Sequence, residues 1–108
     1  KLETKTDDQN SVTEAVTPID ISREAGEWRF DIVLNTHSVE LGQDMARISV
    51  LADDQGKEYR PLRWEGAEPG GHHREGMLIF KQIMPAPKYL ELKISGIGDV
   101  DRSFVWRI

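Results

Sequence analysis

The chain has 108 residues, 38% hydrophobic and 31% charged, a composition typical of one soluble globular domain with a single hydrophobic core. Its formal net charge of -5 argues against nucleic-acid binding, which requires Lys and Arg to be concentrated on one face. No apolar run approaches the ~20 residues needed to cross a bilayer, and the absence of cysteine excludes disulfides, thiolate metal sites and a Cys nucleophile.

The first eleven residues, KLETKTDDQNS, contain one large apolar side chain and no hydrophobic periodicity. Such a segment buries too little apolar surface to offset the entropy that ordering it would cost. We therefore predict a flexible polar leader over residues 1–11, followed by a β-sandwich domain over residues 12–108.

From residue 12 onward, short apolar alternations are separated by turn residues, and no stretch has apolar residues at helical spacing. The clearest strand places four apolar side chains on its core face: Trp28, Phe30, Ile32 and Leu34. A strand over 45–52, with Ala46, Ile48 and Val50 on one face, leads through the hairpin turn DDQG into a strand over 58–64. Further strands are predicted over 12–21, 39–41, 76–83, 89–94 and 104–108.

Short strands at intervals of about 8–12 residues, separated by polar turns, are typical of antiparallel sandwiches. The fold class is therefore all-β, an antiparallel immunoglobulin-like sandwich of seven to eight strands. Trp28 and Trp106 lie at core positions of their strands, whereas Trp64, beside a glycine-rich loop, is predicted to be partly exposed.

Three stretches together carry a family resemblance: WRFDIVLNTHSVEL, VLADDQGKEYRPL and GMLIFKQIMPAPKYLELKI. They resemble the immunoglobulin-like domains of bacterial and archaeal secreted proteins and lipoproteins, over roughly residues 12–108. In that class a D-x-x-G-x-x-Y hairpin precedes a G-x-L-x-F strand, and the matching positions are Asp53, Gly56, Tyr59, Gly76, Leu78 and Phe80. The resemblance implies a non-enzymatic module outside the cytoplasm, secreted or in the cell envelope, and any membrane anchor would lie upstream of Lys1.

The stretch EGAEPGGHHRE departs from that pattern as an insertion, and it places two of the chain's three histidines among glycines. Adjacent residues on an extended strand point to opposite faces, so His72 and His73 can share a metal ion only if the glycines bend the loop. If the turn after the central strand lies at the same end of the sandwich, His37 completes a copper or zinc site with His72 and His73.

The alternative is structural: the glycines form a tight loop, and one histidine bonds backbone carbonyls or packs on Trp64 while the other is solvated. We favour this interpretation, because the spacing of the three histidines matches no established ligand motif. A pH-responsive contact through these histidines also remains open, since imidazole titrates near neutral pH.

Enzymatic activity has little support in the sequence. Ser38 is adjacent to His37, but no nucleophile-elbow motif surrounds it, and Glu65, Glu68 and Glu75 are typical of a solvated charged loop. DDQG lacks the further oxygen ligands of a calcium loop.

Two functions follow as hypotheses. The first is a non-catalytic module that binds a protein partner, or another domain of its parent protein, through an exposed loop surface. That surface would comprise Trp64, Glu68, His72, His73 and Arg74. The second is a copper- or zinc-binding domain that uses His37, His72 and His73. Neither involves nucleic acid or insertion of this segment into a membrane.

Overall fold

The computed structural model describes residues 2–108, which form two antiparallel β-sheets packed as a sandwich. A one-turn helix, α1 (Met45–Ile48), precedes β4. No helix within residues 2–108 is long and apolar enough to cross a membrane. The strands, in chain order, are β1 (Lys5–Gln9), β2 (Val12–Asp20), β3 (Glu27–Thr36), β4 (Ser49–Ala52), β5 (Glu58–Tyr59), β6 (Arg63–Gly66), β7 (His73–Lys81), β8 (Tyr89–Ile97) and β9 (Val100–Arg107).

The five-stranded sheet has the order β1-β2-β3-β7-β6, and the four-stranded sheet has the order β5-β4-β8-β9. The chain crosses between the sheets after β3, after β5 and after β7. The predicted all-β antiparallel sandwich is therefore confirmed, with nine strands among residues 2–108 rather than seven or eight.

The core lies between the two sheets and is centred on β3, whose alternate side chains are buried as predicted. The Phe30 ring packs edge-on against Phe80, with centroids 5.7 Å apart, and lies 5.8 Å from the ring of Trp106. Trp28 and Trp106 are 1% and 2% exposed, which confirms that both belong to the core.

The predicted strand over 45–52 is wrong in its first half and in its phase. Residues Met45–Ile48 form α1, in which the amides of Arg47 and Ile48 donate to the carbonyl of Asp44. Met45, Ser49 and Leu51 face the core, while Ile48 and Val50 are only half-buried. An uninterrupted strand would place Arg47 on the same core face, whereas the helical turn leaves Arg47 exposed.

The predicted strand over 58–64 is two strands in different sheets. β5 pairs with β4 and β6 pairs with β7, and the crossing falls at Arg60, Pro61 and Leu62. Proline lacks the amide hydrogen needed to continue a ladder. The DDQG turn itself forms as predicted: Gly56 has φ +81°, and Asp53 accepts from the amide of Lys57 at 2.9 Å and from the hydroxyl of Tyr59 at 3.1 Å.

The predicted flexible leader over 1–11 contains a strand, β1, over Lys5–Gln9, while Lys1 lies outside the described residues. β1 pairs along its full length with β2, from Lys5 opposite Val16 to Gln9 opposite Val12. Two buried side chains of β9 hold the backbone of this N-terminal segment. Trp106 Nε1 donates to the carbonyl of Glu3 at 2.8 Å, and Arg102 donates to the carbonyl of Gln9 at 2.9 Å. The polar composition misled the prediction because this edge strand is stabilised by its backbone rather than by its side chains.

The two ends of the sandwich have different surfaces. At one end, which we call the histidine end, β3 finishes and β7 begins, so it carries His37, His72 and His73. At the other, which we call the Ile108 end, β2 and β9 finish and β8 begins.

Candidate functional site

At the histidine end, the glycine-rich loop runs alongside the segment that follows β3. The amide of Thr36 donates to the carbonyl of His72 at 3.0 Å, and Leu41 exchanges two backbone hydrogen bonds with Gly70 and Gly71. Gly70 and Gly71 have φ values of +115° and +79°, which favour glycine, and the amide of Gly71 also donates to Glu40 Oε2. These hydrogen bonds therefore fix the conformation of the loop, which lies at the same end of the sandwich as His37.

The three histidines nevertheless do not gather into one site. His73 begins β7 and its Nδ1 donates to Asn35 Oδ1 at 2.6 Å, while His72 is exposed in the turn before it. His37 lies in a separate polar groove, lined by Asp8, Ser11, Thr13, Asn35, Thr36, His37 and Ser38. Across residues 2–108, no group of three or more His, Asp or Glu side chains is placed to hold a metal ion. The geometry therefore gives no support to a copper or zinc site.

Arg74 was predicted to be an exposed interaction residue, and this is corrected by its burial to 1% exposure. It alternates in phase with Gly76 and Leu78 on the inner face of β7. Its guanidinium donates to three backbone carbonyls, at 2.7–3.1 Å: those of Leu41, Gln43 and Ala67. Burial lowers the pKa of Arg74, while the carboxylates of Asp44 and Glu68 oppose that shift. Arg74 thus ties the β3–α1 connection to the β6–β7 loop.

Trp64 covers Arg74 and is half-buried, as predicted for a residue beside the loop. Its ring lies 5.6 Å from the Arg74 guanidinium and its Nε1 donates to the carbonyl of Ala67 at 3.0 Å. The ring also fills the space above two paired glycines, because a Cβ placed on Gly76 would lie 2.6 Å from Trp64 Cζ2. Of the predicted interaction residues, only Glu68, His72 and His73 are therefore well exposed.

A second buried arginine lies in the other sheet. Arg102 of β9 is 2% exposed, and its guanidinium donates to the carbonyls of Asp7, Gln9, Val12 and Ile97. Its Nε is 3.9 Å from Oε1 of Glu14, which is fully buried. Neither carboxylate oxygen of Glu14 has a hydrogen-bond partner among residues 2–108. Burial raises the pKa of Glu14 to about 8, with Arg102 opposing the shift and Asp7 adding to it.

The Ile108 end carries exposed apolar side chains that sequence reasoning did not single out. Met84 is 75% exposed, Ile19 52% and Ile108 41%. Two shallow grooves meet there and share Ile21 and Ile108: one passes Ile19, and the other passes Met84 and Pro85. We call these five residues, Ile19, Ile21, Met84, Pro85 and Ile108, the Ile108 surface.

The sequence did contain signals for the residues that were missed. Glu14 lies on the same face of β2 as Val12 and Val16, and Arg102 lies on the same face of β9 as Phe104 and Trp106. Each charged residue therefore occupies a core position of its strand. Met84 lies in the turn after β7, where the two prolines of MPAPK prevent the ladder from resuming before β8.

Comparisons of the chain with protein-family models, with curated proteins and with solved structures found no match.

Proposed function

We propose that this chain is a non-catalytic interaction module of immunoglobulin-like topology, acting outside the cytoplasm as part of a secreted or envelope protein. Its partner is another protein or another domain of its parent protein. The exposed apolar Ile108 surface is the observation that carries this proposal.

The strand order supports the immunoglobulin-like assignment. If β2 is taken as strand A, the five-stranded sheet has the order A-B-E-D behind its extra edge strand β1, and the four-stranded sheet has the order C′-C-F-G. An A-B-E-D sheet packed on a C-F-G sheet is the arrangement of immunoglobulin constant-type domains.

The Ile108 surface supports the interaction role. Contiguous exposed apolar patches on soluble domains mark sites of protein–protein contact, because exposing such a patch to water costs free energy that a partner can recover. Asp20, Ser22, Arg23 and Gln82 border the two grooves, which gives the patch the polar rim that is typical of interfaces.

The histidine end offers the alternative contact surface. Glu68, His72 and His73 are exposed, whereas Trp64 and Arg74 are engaged in holding the loop. A partner there would meet polar side chains on a rigid loop rather than an apolar patch.

Affinity capture with matched variants tests the proposal. The purified chain is immobilised and exposed to an extract of envelope proteins from its source cells, and the retained proteins are quantified by mass spectrometry. Proteins retained by the parent chain should be lost with the variant Ile19→Lys/Met84→Lys and kept with the variant Glu68→Ala/His72→Ala.

The opposite pattern would assign the contact to the histidine end and remove the Ile108 surface from the proposal. Retention of the same proteins by all three chains would contradict an interaction role for either surface. Circular dichroism and thermal melting of each variant establish that the fold is intact.

The compartment is tested separately. Intact source cells are treated with an amine-reactive reagent that does not cross membranes, and labelling of this protein is measured with and without lysis. Labelling that requires lysis of the cytoplasmic membrane would contradict the extracytoplasmic placement.

A further inference from the structure

The four edge strands of the sandwich differ in how well they are protected. β5 has two residues and β6 has four, and three of the five residues of β1 are charged. β9 has eight residues and carries Val105 with 43% of its surface exposed. Short or highly charged edges resist pairing with another chain, whereas a long edge with an apolar side chain invites it.

The register of β8 and β9 identifies the backbone groups that point outward from β9. Tyr89 lies opposite Arg107, and the amide of Ile108 donates to the carbonyl of Lys88. In an antiparallel ladder, hydrogen-bonded and non-hydrogen-bonded pairs alternate. The amides and carbonyls of Ser103, Val105 and Arg107 therefore point away from β8.

No strand within residues 2–108 pairs with this edge. The strand nearest to it, β1, belongs to the other sheet, and a groove between them is lined by Lys5, Thr6, Asp7, Asp8 and residues 103–105 of β9. None of the backbone groups of Ser103, Val105 or Arg107 that point outward has a hydrogen-bond partner within residues 2–108.

The outward side chains of β9 are self-complementary in one register. When two copies of β9 run antiparallel about a two-fold axis at Phe104, Ser103 of each copy lies opposite Val105 of the other. The same register places Asp101 opposite Arg107, and it does so twice because the axis is two-fold. Asp101 and Arg107 are both exposed, and neither has an ion-pair partner within the described part of the chain.

The hydrogen-bonding phase agrees with this register. The pair of Ser103 with Val105 joins residues whose backbone groups point toward the free edge, so it can exchange two backbone hydrogen bonds. Asp101 lies at the irregularity between Ile94 and Ile97, and its pairing with Arg107 rests on opposite charge. Shifting the two-fold axis to Ser103 or to Val105 would keep the phase but would separate Asp101 from Arg107.

From the free backbone edge, the exposed Val105 and the charge pairing, we propose that two copies of this chain associate through their β9 strands. The paired β9 strands join the two four-stranded sheets into one continuous sheet. This interface is distinct from the Ile108 surface, and the proposal does not depend on the proposed function.

Sedimentation velocity over a wide concentration range tests the proposal on the full chain. The parent should shift from monomer to dimer as its concentration rises. Asp101→Arg and Arg107→Asp should each weaken the dimer about tenfold or more, because each places two like-charge pairs across the interface. The control Glu58→Arg, an exposed reversal in β5 at the opposite edge of the same sheet with the same charge change as Asp101→Arg, should dimerise as the parent does.

Two combinations make the test specific for the register. The double variant Asp101→Arg/Arg107→Asp should recover the parent's dimer, and an equimolar mixture of the two single variants should form a mixed dimer more readily than either forms its own. In both cases every cross-strand pair again joins opposite charges.

A backbone variant completes the test. Val105→Pro removes an amide that points away from β8, so the fold should be retained while dimerisation is lost. A monomer at all concentrations would overturn the proposal, as would failure of the double variant to recover the dimer. A dimer that survives Val105→Pro but is abolished by Met84→Lys would place the interface on the Ile108 surface and would also overturn it.

Discussion

Arg74 and Arg102 occupy equivalent situations in the two sheets and differ in their charged neighbours. Both lie at the histidine end, both are at most 2% exposed, and both donate to backbone carbonyls. The carboxylates that interact with the charge of Arg74, those of Asp44 and Glu68, are exposed to solvent. The guanidinium of Arg74 lies over the ring of Trp64. Arg102 instead lies beside the fully buried Glu14.

This difference shows two ways of burying a guanidinium. At Arg74, three carbonyls accept from the terminal guanidinium nitrogens and the Trp64 ring covers the cation, with no buried acid beside it within residues 2–108. At Arg102, the buried carboxyl of Glu14 lacks hydrogen bonds and holds its proton to a pH well above its ordinary range. Only the Arg102 site is therefore expected to make the stability of the fold depend on pH near neutrality.

The largest expected effect comes from removing each arginine in turn. Arg102→Met should lower the free energy of unfolding by about 3–5 kcal/mol, because it removes the donors of four carbonyls, two of them in fully buried hydrogen bonds. Arg74→Met should cost about 2 kcal/mol, because it removes the donors of three carbonyls, only one of them in a fully buried hydrogen bond. Urea denaturation measures both values.

Hydrogen exchange sharpens this comparison. Amides of β1 should exchange faster in Arg102→Met, because Arg102 holds the carbonyls of Asp7 and Gln9, and should be unchanged in Arg74→Met. Equal losses of stability with no difference in β1 exchange would contradict the proposed distinction.

The second prediction concerns pH. The pKa of Glu14 is about 8 in the folded chain and 4.5 when unperturbed, so the folded state binds this proton more tightly than the unfolded state. The Glu14 contribution to stability is complete below pH 4.5 and is lost as pH rises toward 8, by about 1.4 kcal/mol per pH unit between those values.

Glu14→Gln removes this titration. The difference in free energy of unfolding between the variant and the parent should therefore grow in favour of the variant from pH 5 to pH 8, as measured by urea denaturation at each pH. Glu68→Gln, an exposed control, should follow the parent. Parallel curves for Glu14→Gln and the parent would mean that Glu14 is ionised in the fold and paired with Arg102.

The smallest expected effect tests the cover over Arg74. Gly76→Ala should lower the free energy of unfolding by about 1–3 kcal/mol, because the new Cβ would lie 2.6 Å from Trp64 Cζ2 and 2.7 Å from the Cα of Gly66. The matched control Gly26→Ala meets no atom within 4 Å and should cost far less.

The clash with Trp64 can be separated from the clash with the backbone. In a Trp64→Ala background, the cost of Gly76→Ala should fall, since the ring is gone and only the Gly66 contact remains. Thermal unfolding of the four chains gives the coupling, and strict additivity would show that the Trp64 ring does not fill this space.

Local pattern predicted the central strands well. β3 alternates cleanly, the DDQG turn forms, and the fold class follows from the spacing of strands and turns. The candidate site was predicted less well: the glycine loop and His37 do share one end, but the histidines form no metal-binding group within residues 2–108, and Arg74 is buried. Loop geometry depends on hydrogen bonds to distant segments, such as the bond between Thr36 and His72, which no local pattern specifies.

The sequence alone determined which faces of β2, β3, β8 and β9 are apolar, because a period of two directly encodes which side chains can leave water together. The tertiary structure decided what happens to the exceptions. KTDDQ became a strand because it pairs with β2 and because Arg102, far away in the chain, donates to the carbonyls of Asp7 and Gln9, while Trp106 donates to the carbonyl of Glu3 just before the strand. The two arginines are buried because backbone carbonyls from distant segments accept from each guanidinium, an arrangement that exists only after both sheets have packed.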